Sequence, residues 1–399
     1  MYYQVKSRRV LSTFSGAVLL FFSLYLGSGS LYLFLEGGAR LENYISSVET
    51  EIVNSLFGVC VILLWLYVFF TTLLNRGILR LGGGSMVIIS LVLFVLSSAY
   101  SDFPYVSLGV GLFLVSWYFF INAYIAAVGV NKVINTAAVF LFAMVAVSIA
   151  VALFVPTYGL SVGWHEGSWQ GIFNHKNRFG YIAVLSLIFV AFSTWPVSLK
   201  ALLITVCVLA VYKSKSSAAL SFLFLLPILA LLWSVRLGRL RLSLVFLVFL
   251  ILCLFLLAVW IFTGIDPEFL NNRGRIWSFA VEKSFDALFL GHGLYQYPKF
   301  SEVNSDLLVS SIGFYVRSTH NGFVDAFFSF GMVALFLVFS FFYKVFCESK
   351  GALLGFLYGV FMIYINIFES NLFSINIFFM MLILLICCGG KSEPDRADI

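Results

Sequence analysis

The chain has 399 residues, of which 62% are hydrophobic, 18% aromatic and only 11% charged. A mean hydropathy of +1.04 and 46 Phe leave too little polar surface to cover a water-facing core, which excludes a soluble chain of this length and points to a polytopic membrane protein. The formal charge of +6 comes from so few charged groups that their placement matters more than their sum, and it does not suggest nucleic-acid binding.

Lys6, Arg8 and Arg9 precede the first apolar run, and no small-residue cleavage site follows it, so the run reads as an uncleaved span. A crossing helix needs about 20 apolar residues. Twelve stretches qualify: Val10 to Leu35, Ile52 to Leu74, Gly83 to Tyr100, Tyr105 to Val128, Ile134 to Val155, Phe179 to Trp195, Ala201 to Tyr212, Ala218 to Ser234, Leu242 to Phe262, Phe323 to Tyr343, Ala352 to Phe368 and Phe373 to Cys388. The seventh is short for a full crossing and fits equally a tilted helix or half of a re-entrant hairpin. The expected fold is therefore all-α, a single integral membrane domain over residues 1–399 with about 12 transmembrane helices.

Lys and Arg gather in cytoplasmic loops. Placing both termini inside puts Arg76, Arg80, Lys132, Lys200, Arg236, Arg239, Arg241, Lys344, Lys350, Lys391 and Arg396 on the inner side. The outer side then holds Glu36 to Glu51, Pro156 to Arg178 and a large loop from Thr263 to Gly322, where Arg275 to Phe289 lacks Gly and Pro and predicts one interfacial helix. All six cysteines (Cys60, Cys207, Cys253, Cys347, Cys387, Cys388) fall in or beside apolar runs, with no spacing for a disulfide framework or a zinc site. No fixed-period repeat is visible.

Against the inside bias, four basic groups lie outside: Lys176 with Arg178, Lys213 with Lys215, Arg273 with Arg275, and Arg317 beside His320. Solvated flanking charge or headgroup anchoring explains any one of them equally well. Four together favour a polyanionic ligand such as a diphosphate, which Arg grips with a planar fork and Lys with a point charge. All four histidines (His165, His175, His292, His320) are outside as well. A histidine suits the base that takes a proton from a sugar hydroxyl. For His175 and His292 a structural role in a Gly-bounded turn is an equal alternative, and the irregular spacing of His165, Glu166 and His175 does not suggest a metal site.

Three local patterns carry chemistry. Gly171-Ile172-Phe173-Asn174-His175-Lys176-Asn177-Arg178-Phe179-Gly180 runs into the sixth span and would set cations and a helix N-terminus before an anion, or simply cap the helix. Lys213-Ser214-Lys215-Ser216-Ser217 is a phosphate contact or a plain hairpin turn. Arg317-Ser318-Thr319-His320-Asn321-Gly322 closes the large loop. Asp325 follows one turn later, near enough to orient a base, and its burial at the top of a span would otherwise be costly.

With these motifs the chain resembles the O-antigen ligase and polymerase superfamily, and within it the exopolysaccharide and O-antigen polymerase branch. The resemblance rests on Gly171 to Gly180, on Ser214 to Ser217, on Arg275-Ile276-Trp277 leading to Gly291-His292-Gly293, and above all on His320-Asn321 followed by Gly331. The motifs span about a third of the chain. In that family's ligases the last pattern continues to Gly-x-x-Gly, Thr or Tyr, whereas Ala334 stands here, a departure from the ligase form. The resemblance implies a glycosyltransferase of the bacterial inner membrane, metal-independent, without cofactor and inverting. It would polymerise undecaprenyl-pyrophosphate-linked oligosaccharide repeats on the periplasmic face, with the loop at 263–322 forming part of the active site. It implies membrane lipid, a chain-length regulator and a flippase as partners.

Mapped by the resemblance, His320 is the base, supported by Asn321 and Asp325. Arg275 and Arg317, with Lys176, Arg178 and Lys215, hold the pyrophosphate, and His175, Asn177, Arg273, His292 and Trp277 contact substrate. Trp164, Trp169, Tyr295 and Tyr297 are candidates for sugar stacking or interfacial anchors. The alternative within the class is an O-antigen ligase acting on lipid A core. From another class, a 12-span transporter or a lipid-linked sugar flippase is disfavoured because span interiors hold almost no charge.

Overall fold

The computed structural model describes residues 2–30, 47–75, 81–161, 165–234, 273–313, 315–316, 318–348 and 353–389. The predicted ninth span, Arg317, Trp164, Cys253 and the inner-side residues Arg76, Arg80, Arg236, Arg239, Arg241, Lys350, Lys391 and Arg396 lie outside the described residues. Among the described residues every regular element is a helix, and the only extended pairing is one isolated bridge between Leu160 and Trp169. Backbone in hydrocarbon must satisfy its own N–H and C=O groups, and apolar runs of this length do so as helices.

In chain order these are α1 Tyr2–Ser28, α2 Ser47–Asn75, α3 Gly84–Leu96, α4 Pro104–Val128, α5 Val130–Phe154, α6 Lys176–Phe192, α7 Val197–Ser214 and α8 Ser217–Ser234. The large loop contributes α9 Arg273–Ser284, α10 Tyr297–Val303 and α11 Ser305–Ile312. They are followed by α12 Gly322–Phe330, α13 Val333–Glu348, α14 Leu353–Phe368 and α15 Ile377–Gly389. Five segments are long and apolar enough to cross a membrane: Asn54–Leu73, Pro104–Val128, Val130–Phe154, Val197–Ser214 and Ser217–Ser234. Shorter apolar helices stand at Thr13–Ser28, Gly84–Ala99, Val333–Phe346, Leu353–Phe368 and Ile377–Gly389. This is the helix inventory of a membrane-embedded protein.

The seventh apolar run is longer than its uncharged stretch. Both flanking lysines are drawn into α7, which reaches 18 residues. Lys200 bends back so that Nζ donates to the carbonyls of Ala191 (3.4 Å) and Ser193 (3.3 Å), placing a cation on the negative end of α6. The tenth run is not one helix. It breaks into α12 and α13 at Gly331, whose φ of +52° and ψ of −135° are open essentially to glycine alone. A Cβ there would stand 2.1 Å from the Leu288 carbonyl oxygen, because that oxygen bonds Met332 N at 2.8 Å. The predicted interfacial helix at Arg275 to Phe289 is likewise shorter, ending at Ser284 with a 3-10 turn at Phe285–Ala287.

Helix α6 is the centre of the bundle, packed against α5, α7, α8 and α14, with Phe179 through Val190 almost wholly buried. A second buried centre, α15, packs on α1, α4, α13 and α14, and Trp117 Nε1 donates to the Met380 carbonyl at 2.9 Å. By contrast α2, α7 and α8 leave Ile62, Phe69, Leu202 and Phe224 exposed, as helices with a lipid-facing side do. The loop helices build a separate small core of Ile276, Trp277, Phe279, Tyr297, Leu308 and Phe328 against α12. Helix α12 therefore joins the loop to the apolar helices: Val324 and Phe328 face the loop core, while Phe323, Ala326 and Phe330 pack into the main apolar core.

Candidate active site

His320 precedes α12, and its backbone is held in place from three sides. Asn321 caps the helix, its Oδ1 accepting from Phe323 N (2.9 Å) and Val324 N (3.1 Å), while its Nδ2 donates to the Ile367 carbonyl (3.3 Å). His320 N donates to Ser318 Oγ at 3.1 Å, and the buried Trp277 donates from Nε1 to the Thr319 carbonyl at 2.7 Å. His320 itself adopts φ +52°, a left-handed conformation that costs a histidine about 1–2 kcal/mol. The surrounding bonds impose it.

The side chain turns to a carboxylate that sequence reasoning passed over. His320 Nδ1 stands 3.5 Å from Glu369 Oε2. Asn177 Nδ2 donates to Oε1 of the same group at 3.3 Å. Arg273 Nη2 lies 4.0 Å from Oε1, and its Nη1 donates to the Phe368 carbonyl at 2.6 Å. Four segments far apart in the chain thus meet at Glu369. Buried asparagines fix its loop: Asn366 Oδ1 accepts from Asn371 N (2.9 Å), and Asn376 Nδ2 donates to the Asn371 carbonyl (3.0 Å). At the start of α12, Gly322 approaches so closely that a Cβ would meet the Asn366 amide oxygen.

Burial alone would raise the Glu369 carboxyl. The adjoining His320, and then Arg273 and His175, outweigh it and hold the group below its ordinary range. Glu369 is thus a fixed negative charge beside the imidazole. Nδ1 is buried on the carboxylate side at 3.5 Å, with no hydrogen-bond partner among the described residues, and Nε2 is the other ring nitrogen that can accept a proton.

His175 caps α6, its Nδ1 accepting from Asn177 N at 3.1 Å, so the motif at 171–180 both ends a loop and aims Asn177 at Glu369. Next to it Lys176 Nζ donates to the Lys215 carbonyl at 3.3 Å. Burial, and then the Lys215 charge, pull the Lys176 ammonium below its usual range. The serines of the turn are spent on the turn itself: Ser214 Oγ donates to the Val211 carbonyl and accepts from Ser216 N. Lys213 carries its ammonium 5.7 Å over the Trp169 ring, a cation–π contact.

The other predicted residues fall elsewhere. Arg275 is exposed and lies near Gly313, and the Arg178 guanidinium lies against Gly29. His292 has both ring nitrogens engaged, Nδ1 with Asp102 Oδ2 (2.9 Å) and Nε2 with the Lys283 carbonyl (3.0 Å), and it stacks on Phe328 at 4.4 Å. It clamps the loop core and does not join the Glu369 group. Trp277 and Tyr297 are buried and offer no face to a sugar, whereas Tyr295 is exposed. Among the described residues no three His, Cys, Asp or Glu side chains gather as metal ligands.

Asp325 stands on α12 within electrostatic reach of His320. Burial drives its carboxyl up to about 6, partly offset by the hydroxyls of Ser370 and Thr319 and by His320. A raised carboxyl penalises the folded state above that pH, and the penalty fades as pH falls toward the ordinary value of 3.8. Asp325→Asn is therefore expected to raise the thermal midpoint above pH 6, leave it unchanged near pH 3.8, and slow any reaction that uses the carboxylate. A lower midpoint at pH 7.5 would show that the charge is stabilised in place.

The one signal that marked Glu369 in the sequence is its isolation: it is the only charged residue between Lys350 and Lys391, set between two apolar runs, where an acid is expensive unless paired. Compared with known proteins, the chain matches no family model and no curated relative.

Proposed function

We propose that this chain is a membrane glycosyltransferase that polymerises undecaprenyl-pyrophosphate-linked oligosaccharide repeats into O-antigen or exopolysaccharide on the periplasmic face of the bacterial inner membrane. The twelve-span arrangement with both termini inside belongs to the same proposal. The observation that carries it is the convergence of His320, Arg273 and Asn177 on Glu369, with Lys176 and Lys215 on the flank. That set pairs a base and its orienting carboxylate with fixed cations.

In the proposed step the acceptor sugar hydroxyl attacks the anomeric carbon while its proton passes to His320 Nε2. The bond from that carbon to the diphosphate oxygen breaks, and the diphosphate leaves with the electron pair, inverting the configuration. Charge grows on the leaving group, where Arg273, Lys176 and Lys215 stabilise it. Glu369 holds the imidazole and balances the imidazolium that forms. The product remains lipid-linked, as the next round requires.

The test is to incubate the purified chain with undecaprenyl-diphosphate oligosaccharide and resolve the products by size. A ladder of repeats is expected. Transfer only to lipid A core would make the chain a ligase, and no transfer to either acceptor overturns the proposal.

A further inference from the structure

The loop bearing Glu369 and the loop bearing His320 are also joined by a set of hydroxyls that the proposed reaction does not use. Ser318 Oγ donates to Ser370 Oγ at 3.0 Å, and Thr319 Oγ1 lies 2.9 Å from the same oxygen. Ser370 directly follows Glu369, while Ser318 and Thr319 lead into His320. Both of the latter also hold the backbone around the imidazole. Ser318 Oγ accepts from His320 N at 3.1 Å. The buried Thr319 donates to the Asn321 carbonyl at 2.8 Å and accepts from Asn321 N at 3.3 Å. Ser370 is thereby coupled to the backbone on either side of the ring.

The imidazole and the carboxylate do not set their own separation. At 3.5 Å the pair is longer than an N–H···O hydrogen bond. Asn321 Nδ2 and Arg273 Nη1 anchor the carbonyls of Ile367 and Phe368 at the end of α14, and Asn366 holds Asn371 N beyond Glu369. Between these anchors, Ser370 carries the side-chain tie adjoining Glu369.

Asp325 gives the chain of hydroxyls its direction. It stands in the first turn of α12, with Oδ1 enclosed and lacking a hydrogen-bond partner among the described residues. The hydroxyls of Ser370 and Thr319 lower its titration, as donors to a carboxylate do. His320 and Tyr297 of α10 also lie within electrostatic reach of it. An ionised carboxylate only accepts, so Ser370, which receives the proton of Ser318, donates its own toward Asp325.

We propose that Ser370 is a positioning residue: with Thr319 and Asp325 it latches the Glu369 loop to the His320 loop and so sets the separation of carboxylate and imidazole. The catalytic consequence rests on the glycosyltransferase proposal, whereas the latch itself does not. The experiment therefore has two arms.

In the first, the purified full chain is unfolded by heat in detergent across the titration of Asp325, from pH 3.8 to above 6. The midpoint difference between Asp325→Asn and the wild type should grow with pH and level off near 6. In a Ser370→Ala background the carboxylate has lost a donor, so the difference should be larger and level off at higher pH. Ser370 is half-buried, and alanine should fold there. The same course in both backgrounds would overturn the latch.

In the second arm, polymer formation from undecaprenyl-diphosphate oligosaccharide is followed. Ser370→Ala should lower kcat by about 10–10²-fold, as small misplacements of a reacting group do, with KM unchanged. Ser370→Thr keeps the hydroxyl and should restore the rate. A wild-type kcat in Ser370→Ala, or an equal loss in Ser370→Thr, would overturn the positioning role and leave the reaction standing. A wild-type chain that makes no polymer would remove the reaction, and the pH arm alone would then uphold or overturn the latch.

Discussion

Replacing His320 by alanine is expected to slow polymer formation by about 10²–10⁴-fold, the usual contribution of a positioned general base. The protein should remain folded, because the side chain is 38% exposed and the cap of α12 belongs to Asn321. His320→Gly is the sharper variant. Its φ of +52° suits glycine, so the substitution should leave the thermal midpoint equal or higher while removing the ring. Added imidazole is then expected to restore part of the rate in His320→Gly, since a small base can fill the vacated position. Polymer at the wild-type rate in either variant would remove His320 from the chemistry.

Glu369→Gln is expected to have the second-largest effect, again about 10²–10⁴-fold if the pair acts as one base. The amide keeps the shape and can still accept from Asn177, but it cannot balance an imidazolium and it leaves Arg273 without its counter-charge. Two groups acting as a unit are non-additive, so the His320→Ala and Glu369→Gln double variant should be no slower than His320→Ala alone. Full multiplication of the two losses would show that Glu369 acts independently. Stability carries a second signature. A carboxyl held below its ordinary value of 4.5 stabilises the fold above that pH, and the contribution disappears as pH falls through its own lower titration. Glu369→Gln should therefore unfold more easily than the wild type at pH 7 and converge with it in strong acid.

Apolar length marked most of the helices, since hydrocarbon leaves the backbone few alternatives. It failed where another residue's backbone intervened. The run from Phe323 to Tyr343 looks continuous by composition, and only the Leu288 carbonyl packed against Gly331 shows why it divides. Lys200 and Lys213 suggested a short seventh crossing, yet a lysine can follow a helix past its apolar part and turn its ammonium to a neighbouring helix end.

For the candidate site, the sequence by itself determined the polar motifs, their place at the ends of apolar runs, and His320-Asn321 at the close of the large loop, whereas the capping of α12 by Asn321 appeared only in the structure. The sequence could not select among the cations, because a charge near a span end looks the same whether it meets lipid headgroups, a ligand or another loop. Only the tertiary structure decided that Arg273 and Asn177 converge on Glu369, that His292 clamps Asp102 to the loop core, and that Trp277 lies beneath Thr319. The physical reason is range. Helix formation follows from the local chain and its solvent, whereas the pairing of an imidazole with a carboxylate requires two segments to be packed side by side by the helices that carry them.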